Sequence, residues 1–544
     1  MVARKVAVIG LCATIILAAA TLAAVILLHN KKNSDHNQNI VQNQSQKVIK
    51  DLCQNTYYQQ TCIDTLSKAT NSSDPKTLIA LGFQTAILEL GHVINQTQPL
   101  QEAANNPKTA GAYKTCQKLL DDSIYDLDKT IGKINSFDIT DFRAFIDDIK
   151  TWLTGALTYQ ETCLDCFEEA NDKNAGDKME KLLKLSREIT INGLALVNEF
   201  SNEKSTNDTQ RTPRSLLQAG LTSISPNVIV AQDGSGKYKT INEALLEAPQ
   251  KCNETFVIYI KEGVYHEYVT VNMTTWSVMF IGDGPTKTKV IGNRSKIGTG
   301  HDTFWSSTVA IEGDNFIARD MGFENSAGPD MHQAVAVRVS ADKTIFHNCQ
   351  IDGFQDTLYA HNHRQYYRDC TISGTIDFIF GNARTVLQNC TLVVRKPLAT
   401  QRLCMVTAQG RTLVNETSAV VLQNCRVVAG LDYPVEDKSY LAFLGRPWKE
   451  FSTVIVMDSE IGGFISPSGW SAWNETSAHL DTCWYAEVDN KGPGADLTRR
   501  VKWPGFKRVS IEEAEMFTPG RYMMGNEWIA GKGVPYDSGR RREK

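Results

Sequence analysis

The sequence has no excess of positive charge. Its 544 residues include 57 lysines and arginines against 61 aspartates and glutamates, and the formal net charge at pH 7 is −4. Proteins that bind nucleic acids carry clustered basic residues that neutralise phosphates. Neither half of this chain is basic enough for that role, so no nucleic-acid partner is expected.

The usual ligand pattern of a structural metal site is also missing. No CxxC pair recurs with histidine at zinc-binding spacing. His361 and His363 form a lone pair beside an aromatic run, and packing or solvation explains such a pair better than metal binding does. We therefore predict no metal site.

One long hydrophobic run stands at the beginning of the chain. Residues Val6 to Leu28 are uncharged and mostly apolar, and this length can span a bilayer. Basic residues flank the run on both sides, so the positive-inside rule does not settle its orientation. Residues 1–32 are predicted to be a signal anchor, with a long cleaved signal peptide as the alternative. In either case the rest of the chain enters the secretory pathway, and residues 33–50 are predicted to be a polar tether.

Two other features agree with a secreted protein. The chain has 13 cysteines, which is compatible with disulfides in an oxidising compartment. Sequons of the form Asn-x-Ser/Thr recur along it, among them those at Asn43, Asn95, Asn207, Asn253 and Asn474.

Residues 51–200 carry four apolar stripes at helical spacing, joined by short connections. This pattern predicts four amphipathic helices packed as an up-down bundle. Cys53 and Cys62 are near enough in sequence to close a small hairpin ahead of the bundle. Cys116 and Cys163 each lie on an apolar stripe and could join two helices.

Residues 201–218 have no apolar periodicity and are predicted to be a linker between two domains. The run from Arg214 to Leu217, Arg-Ser-Leu-Leu, fits the Arg-x-Leu-Leu pattern of secretory-pathway subtilisin-like processing proteases. Exposed linkers are preferred sites of cleavage. A protease of this class is therefore an expected partner.

Residues 219–544 consist of short β-type runs, with no long helical segment between them. That absence excludes a Rossmann-type or barrel crossover. A four-residue unit recurs along this part of the chain: Asn or Asp, then any two residues, then an apolar residue. The repeats indicate coils of about twenty residues, some of them enlarged by loops. We predict a right-handed parallel β-helix following the all-α bundle. The repeated unit begins at Asp320, Asn348, Asp369, Asn389, Asn424 and Asp458.

Equivalent residues of successive coils form columns, because neighbouring coils lie about 4.8 Å apart. Cys349, Cys370, Cys390 and Cys425 each follow the repeated Asn or Asp, so they should form one column. The spacing permits a disulfide between one neighbouring pair without selecting which pair.

Asp356 and Asp377 should form a second column, each eight residues after the start of a repeat, at Asn348 and Asp369. Two carboxylates so close cannot both ionise easily, so one pKa rises and the other falls. An acid and a nucleophile can then arise from one residue type. A ladder of turn-capping aspartates is the alternative. The spacing does not select the reaction either, because retaining glycosidases also use carboxylates about 5 Å apart.

Five motifs in order resemble the signature set of plant pectin methylesterases, over a match from about Pro226 to Gly531. They are GVYHE (Gly263–Glu267), QAVAVR (Gln333–Arg338), GFQDTLY (Gly353–Tyr359), DFIFGNA (Asp377–Ala383) and LGRPW (Leu444–Trp448). The bundle, with LTYQETC ending at Cys163, resembles the pectin methylesterase inhibitor domain.

The resemblance implies roles for four residues. Asp377 matches the nucleophile that attacks the methyl ester carbonyl of galacturonate. Asp356 matches the acid that protonates departing methanol and then, as a base, activates water. Gln355 matches the group that stabilises the oxyanion, and Arg446 the arginine that holds the nucleophile ionised.

It also implies substrate contacts and a disulfide. The substrate contacts are Thr303, Gln333, Arg446 and Trp448, with Phe380, Tyr359 and Trp470 as aromatic residues lining the cleft. The disulfide of the family corresponds to Cys370 and Cys390.

The function expected from this resemblance is that of a carboxylesterase secreted to the cell wall, which removes methyl groups from homogalacturonan without a metal or organic cofactor. The bundle is expected to be autoinhibitory, and separate inhibitor proteins are further expected partners. The membrane is expected to be contacted only through the N-terminal segment. One alternative is a β-helix polygalacturonase or lyase. The Asn-Thr-Asp and Gly-His-Gly motifs of polygalacturonases and the calcium-binding acid clusters of lyases were not found in the sequence. The other alternative is a catalytically silent pectin-binding or inhibitor protein.

Overall fold

The computed structural model describes residues 45–68, 74–95, 109–136, 142–202, 225–474 and 478–540. Its internal contacts divide the chain into two units, Met1–Asp208 and Thr209–Lys544. The predicted membrane segment at residues 1–32 and the predicted processing residues Arg214 and Leu217 lie outside the described residues.

The described part of the first unit contains four long helices, which follow a helical run that begins at residue 45 and one short helix. The short helix was not predicted, whereas the four long helices confirm the four apolar stripes. Each long helix contacts two of the others, which gives the expected four-helix bundle. The helices are α1 (Gln59–Leu66), α2 (Pro75–Asn95), α3 (Ala110–Asn135), α4 (Phe142–Glu169) and α5 (Lys173–Asn202).

Helical structure begins at residue 45, inside the predicted tether. Ile49 is buried there against Cys53 and Leu66. Residues 45–50 contain only two apolar residues, Val48 and Ile49, which are too few to show a helical period. The predicted tether therefore extended too far.

Both disulfides expected in the bundle are present. Cys53 is bonded to Cys62, and Cys116 on α3 is bonded to Cys163 on α4. Among the described helices, α2 is the one that is long and apolar enough to cross a membrane, and its Leu78, Phe83 and Leu90 are buried in the bundle.

The second unit is a parallel β-helix with three sheets, and every strand pair is parallel, as predicted. The first sheet contains β1 (Val228–Val230), β2 (Phe256–Ile260), β5 (Val278–Gly282), β8 (Ile317–Arg319), β11 (Thr344–His347), β14 (Arg364–Arg368), β17 (Arg384–Gln388), β20 (Ala419–Gln423), β23 (Thr453–Met457), β25 (Trp484–Val488) and β26 (Phe506–Lys507). The second contains β3 (Gly263–Tyr265), β6 (Thr288–Gly292), β9 (Gly322–Asn325), β12 (Gln350–Asp352), β15 (Thr371–Gly374), β18 (Thr391–Val394), β21 (Arg426–Ala429) and β24 (Glu460–Ile461). The third contains β4 (Val269–Val271), β7 (Val309–Ile311), β10 (Val337–Val339), β13 (Leu358–Ala360), β16 (Ile379–Gly381), β19 (Leu403–Gln409) and β22 (Leu441–Gly445).

Four short α-helices accompany the sheets in the described part of this unit. They are α6 (Ile241–Leu245), α7 (Ile511–Glu515), α8 (Pro519–Tyr522) and α9 (Gly525–Trp528). Ala514, Met523 and Trp528 from the C-terminal segment pack on the outer face of the first sheet, against residues such as Tyr366 and Val421.

The repeated Asn or Asp has a conformational cause. In all six repeats this residue is in the left-handed region, with φ between 50° and 59°. Asn and Asp tolerate that region better than other residues that have a Cβ. The position is the corner where the chain turns from the first sheet to the second, and Asn348 Nδ2 donates there to Asp320 Oδ1 of the preceding coil at 2.7 Å.

The predicted cysteine column is present, but the disulfide expected between Cys370 and Cys390 is not. Both are thiols, buried in the core of the β-helix with Cys349 and Cys425. Stacking gives each inner cysteine two equivalent neighbours instead of one dedicated partner. The thiols donate to backbone carbonyls of their own coils, Cys370 Sγ to Arg368 O at 3.3 Å and Cys390 Sγ to Gln388 O at 3.6 Å.

Candidate active site

The two aspartates of the predicted column lie on neighbouring coils of the third sheet. β13 pairs with β16 so that Leu358 is opposite Ile379, and each aspartate stands two residues before these partners. The N–H of Asp356 donates to Ile376 O at 3.0 Å, and the N–H of Leu358 donates to Phe378 O at 2.8 Å. These hydrogen bonds lie on either side of Asp377 and place it one coil from Asp356.

Both aspartates have the same unusual backbone conformation. The φ angle is 64° at Asp356 and 51° at Asp377, in the left-handed region where Asp and Asn are tolerated. Both residues are buried, with exposed fractions of 7% and 5%. A sharp turn into the strand therefore presents a carboxylate at the same point of two successive coils.

Arg446 binds Asp377 with two parallel hydrogen bonds. Its Nε donates to Oδ1 at 2.9 Å and its Nη2 to Oδ2 at 2.6 Å. Arg446 follows β22, two coils beyond β16, and its own N–H donates to Thr407 O at 3.0 Å. Burial lowers the pKa of the guanidinium, but the charge and hydrogen bonds of Asp377, with a further contribution from Asp356, raise it above its ordinary value. The arginine therefore stays charged and holds Asp377 through two charge-assisted hydrogen bonds.

The two predicted glutamines lie on adjoining coils. The N–H of Ala334, next to Gln333, donates to the backbone oxygen of Gln355 at 3.2 Å. The side-chain oxygen of Gln355 is buried and accepts no hydrogen bond from the residues that the structure describes. The backbone oxygen of Gln333 accepts the N–H of Lys296 at 3.0 Å. Each side-chain amide carries two N–H donors and does not titrate.

A row of aromatic rings extends along the outer face of the third sheet. Tyr359 and Phe380 stack with ring centroids 4.2 Å apart. Phe380 lies 6.1 Å from Trp448, and Trp448 lies 6.4 Å from Trp473. Gly410 leaves room for Trp448, because a Cβ at that position would stand 2.8 Å from Cε3 of the indole. Tyr359 and Phe380 are buried, whereas Trp448 and Trp473 are half-buried and present part of their rings at the surface.

Thr303 lies farther along the same face. It is buried and precedes the 3-10 turn Phe304–Ser306. The Phe304 ring lies 5.7 Å from His361, and His361 lies 4.8 Å from Tyr359. His361 is fully buried beside Ser340 Oγ at 2.9 Å, which agrees with the packed alternative for the histidine pair.

Trp470 does not line the cleft, so that prediction is wrong. Its side chain is 1% exposed and belongs to the core of the β-helix. The ring packs 4.4 Å from Tyr485, and Nε1 donates to Glu487 Oε1 at 3.0 Å. Trp473 lies beside the catalytic arginine candidate instead. It was missed because the resemblance was applied to Trp470, three residues earlier, and nothing in the sequence shows which of the two rings faces the cleft.

A second missed feature is a buried ion pair next to the aromatic row. Arg338 is fully buried, and its Nη2 donates to Glu312 Oε1 at 2.8 Å. Its guanidinium carbon lies 3.6 Å from the centroid of Phe304. The arginine of QAVAVR was quoted as part of a motif, but no spacing in the sequence connects it to Glu312.

As for metal ligands, the described part of the chain contains no group of three or more His, Cys, Asp or Glu residues arranged to hold an ion.

Comparison with known proteins gives matches over both units. The family model described as Pectinesterase matches residues 227–526, and the model described as Plant invertase/pectin methylesterase inhibitor matches residues 47–196. "Probable pectinesterase/pectinesterase inhibitor 58" of Arabidopsis thaliana is 44% identical over 545 residues, which are 95% of this chain and 95% of the relative. "Pectinesterase" of Petunia integrifolia is 50% identical over 374 residues, 66% of this chain and 99% of the relative. The solved structure "Pectin methylesterase from Carrot" is 44% identical with a TM-score of 0.57, and the match covers 59% of this chain and 99% of that one.

Proposed function

The chain belongs to the pectinesterase family, whose members are carboxylic ester hydrolases, and we propose that it hydrolyses the methyl esters of galacturonate units in cell-wall pectin through an acyl-enzyme on Asp377. Methanol leaves in the first half of the reaction and the free carboxylate in the second. The observation that carries this assignment is the bidentate contact of Arg446 with Asp377.

Asp377 is the nucleophile because Arg446 pairs with both of its carboxylate oxygens. A carboxylate is a weak nucleophile unless it stays ionised, and a guanidinium secures that without losing its own proton. One carboxylate oxygen attacks the ester carbonyl carbon, and a tetrahedral intermediate with a negative oxygen forms. Collapse of this intermediate breaks the bond to the methoxy oxygen and leaves the galacturonyl group bound to Asp377 as an anhydride.

Asp356 supplies and then removes a proton. It lies one coil from the charge on Asp377, and repulsion between like charges favours its protonated form. Methoxide is a poor leaving group, so transfer of this proton to the methoxy oxygen releases neutral methanol. The resulting Asp356 carboxylate then takes a proton from water, whose oxygen attacks the anhydride and frees Asp377.

The glutamine amides and the aromatic row complete the site. Neutral N–H donors of Gln355 and Gln333 stabilise the developing oxyanion without titrating. Trp448 and Phe380 contact the apolar faces of the sugar rings, and Thr303 binds farther along the polymer. Arg446 contacts substrate as well as Asp377.

We further propose that the bundle keeps the enzyme inactive until a subtilisin-like protease cuts near Leu217, after which the active unit acts in the cell wall. The match of residues 47–196 to an inhibitor family supports this proposal. Separate inhibitor proteins of the same class are expected to bind the released unit.

The direct test of the activity measures two products on methylated pectin. Methanol should accumulate while the number of reducing ends stays constant. A rise in reducing ends without methanol would indicate cleavage of the polymer backbone and would overturn the proposal.

A further inference from the structure

Arg446 has more contacts than its pair with Asp377. The guanidinium uses Nε and Nη2 for the two carboxylate oxygens, which leaves Nη1 and the flat faces. The guanidinium carbon lies 4.2 Å from the ring centroid of Trp473. Nη1 also approaches the backbone oxygen of Trp473, at 3.5 Å. Trp473 therefore contacts the arginine through both its ring and its main chain.

The Trp473 indole is itself supported on the side of the aromatic row. Trp448 stacks with it at 6.4 Å and an interplanar angle of 29°. Since Trp448 stands two residues after Arg446, the loop that carries the arginine also carries the ring that supports Trp473.

The segment before Trp473 is fixed to the next coil of the β-helix. The N–H of Leu444 donates to Gly469 O at 2.8 Å, and the N–H of Ser471 donates to Gly445 O at 3.0 Å. Buried Trp470 anchors the segment from inside through Glu487, to which Arg500 donates at 2.7 Å. With Trp470 directed inward, the chain continues outward over Arg446.

We propose that Trp473 is a positioning residue for the reaction, which holds the guanidinium of Arg446 in the plane that allows both hydrogen bonds to Asp377. This inference rests on the proposed roles of Asp377 and Arg446. A cation over the face of an indole is attracted by the negative face of the ring quadrupole, and the attraction is stronger where water is excluded. The planar guanidinium makes two parallel bonds only in one orientation, and the ring restricts it to that orientation.

Titratable neighbours of Asp377 include Arg446, Asp356 and Tyr485. Arg446 contacts it directly, and Asp356 stands on the preceding coil. The buried phenol of Tyr485 lies on the interior side, hydrogen-bonded to Ser452 at 2.8 Å. Burial raises the pKa of Tyr485 well above its ordinary value, so it remains neutral. Arg446 is therefore the positive charge in direct contact with Asp377, and the orientation of its guanidinium determines whether both hydrogen bonds form.

The test compares Trp473→Leu and Trp473→Met with Trp473→Phe in the full chain. On methylated pectin, the Leu and Met variants should lose about 3- to 30-fold in kcat, the range that corresponds to loss of one such contact. KM should change little. Trp473→Phe keeps a ring face and should retain most of the wild-type kcat.

The matched control is Phe380→Leu, which removes a ring of the same row that stacks on Tyr359 rather than on Arg446. It should raise KM and lower kcat less than Trp473→Leu does. The same pectin is used for every variant. If Trp473→Leu fails to fold, Trp473→Met decides the test. A rise in KM with an unchanged kcat in the Trp473 variants would make Trp473 a substrate contact only and would overturn the inference. Wild-type turnover by Asp377→Asn would instead refute the proposed function.

Discussion

Asp356 and Asp377 share a left-handed backbone conformation at equivalent points of neighbouring coils, with φ angles of 64° and 51°. The conformation explains why Asp can stand at both points, and the coil spacing explains why the carboxylates are close. It also means that Asn, which tolerates the same conformation, can replace either residue without backbone strain. Asparagine variants therefore separate chemistry from folding at this site.

The first prediction concerns Asp356. In Asp356→Asn the nucleophile remains, but the proton donor for methanol and the base for water are lost. Methanol release should fall on the order of 10²–10⁴-fold, the usual range for one proton-transfer group. Thermal unfolding should be close to wild type. Asp356→Ala, which has a side chain less suited to positive φ, should be destabilised by about 1–2 kcal/mol relative to Asp356→Asn. Activity close to wild type in the Asn variant would remove Asp356 from the mechanism.

The second prediction concerns Arg446. Arg446→Lys keeps the positive charge but replaces the bidentate contact with Asp377 by the contact of a single ammonium group. Activity should fall by at least about tenfold, since a charge-assisted hydrogen bond contributes about 1.5–3 kcal/mol. The matched control is Arg426→Lys, because Arg426 and its partner Glu460 are both about 60% exposed, and surface pairs contribute little. Equal activity in the two variants would contradict the role given to Arg446.

The third prediction concerns stability in acid. Hydrogen bonds from His347 and Asn389 and the charge of Arg368 outweigh burial and lower the pKa of Asp369 to about 2. Because the folded-state pKa lies below the unfolded value of about 3.9, this residue contributes stability above about pH 4, and the contribution is lost as the pH falls toward 2. Asp369→Asn should therefore be destabilised near pH 6 and much less so near pH 2, as measured by urea unfolding. Asp481→Asn at an exposed position serves as control, and an effect of Asp369→Asn that does not change with pH would contradict the prediction.

The fourth prediction concerns the cysteine column. Since Cys370 and Cys390 are thiols in the structure, both should be alkylated when the chain is denatured without a reductant, whereas Cys53, Cys62, Cys116 and Cys163 should not. Mass spectrometry of the peptides distinguishes the two groups. Protection of Cys370 and Cys390 until a reductant is added would show that the disulfide implied by the family resemblance forms in the secreted protein.

The fifth prediction concerns processing. Arg214→Ala should leave an uncut precursor with little activity in the cell wall, because the Arg-x-Leu-Leu pattern is lost. The control is the segment Ala219–Lys544 expressed alone, which should release methanol without any cleavage. Normal cutting and full activity of the Arg214→Ala chain would refute the proposed activation.

Much of the fold and the placement of the two aspartates could be predicted from the sequence because both depend on periodicity. The apolar stripes of the bundle and the corner residues from Asp320 to Asp458 repeat at the spacing of their structures, and the offset from these corners places Asp356 beside Asp377. The pair of Arg446 with Asp377 came from the family motifs, since 69 residues separate the two in the chain.

The features that were missed depend on three-dimensional packing. Trp470 and Trp473 are near neighbours in an irregular loop, and only the packing of the last coils directs one inward and the other over Arg446. The repeat places Cys370 and Cys390 on neighbouring coils, but it places Cys349 and Cys425 on coils next to them as well. The column therefore does not show which pair of cysteines would form a disulfide.

The measurement that tests the central claim most directly is methanol release by Asp377→Asn, with Asp369→Asn as its matched control. Both substitutions convert Asp to Asn at a left-handed position, with φ of 51° and 54°, but only Asp377 is proposed to form the acyl-enzyme. With folding confirmed by circular dichroism, Asp377→Asn should release methanol only at the background rate, while Asp369→Asn should remain active near neutral pH. Substantial methanol release by Asp377→Asn would show that another residue is the nucleophile.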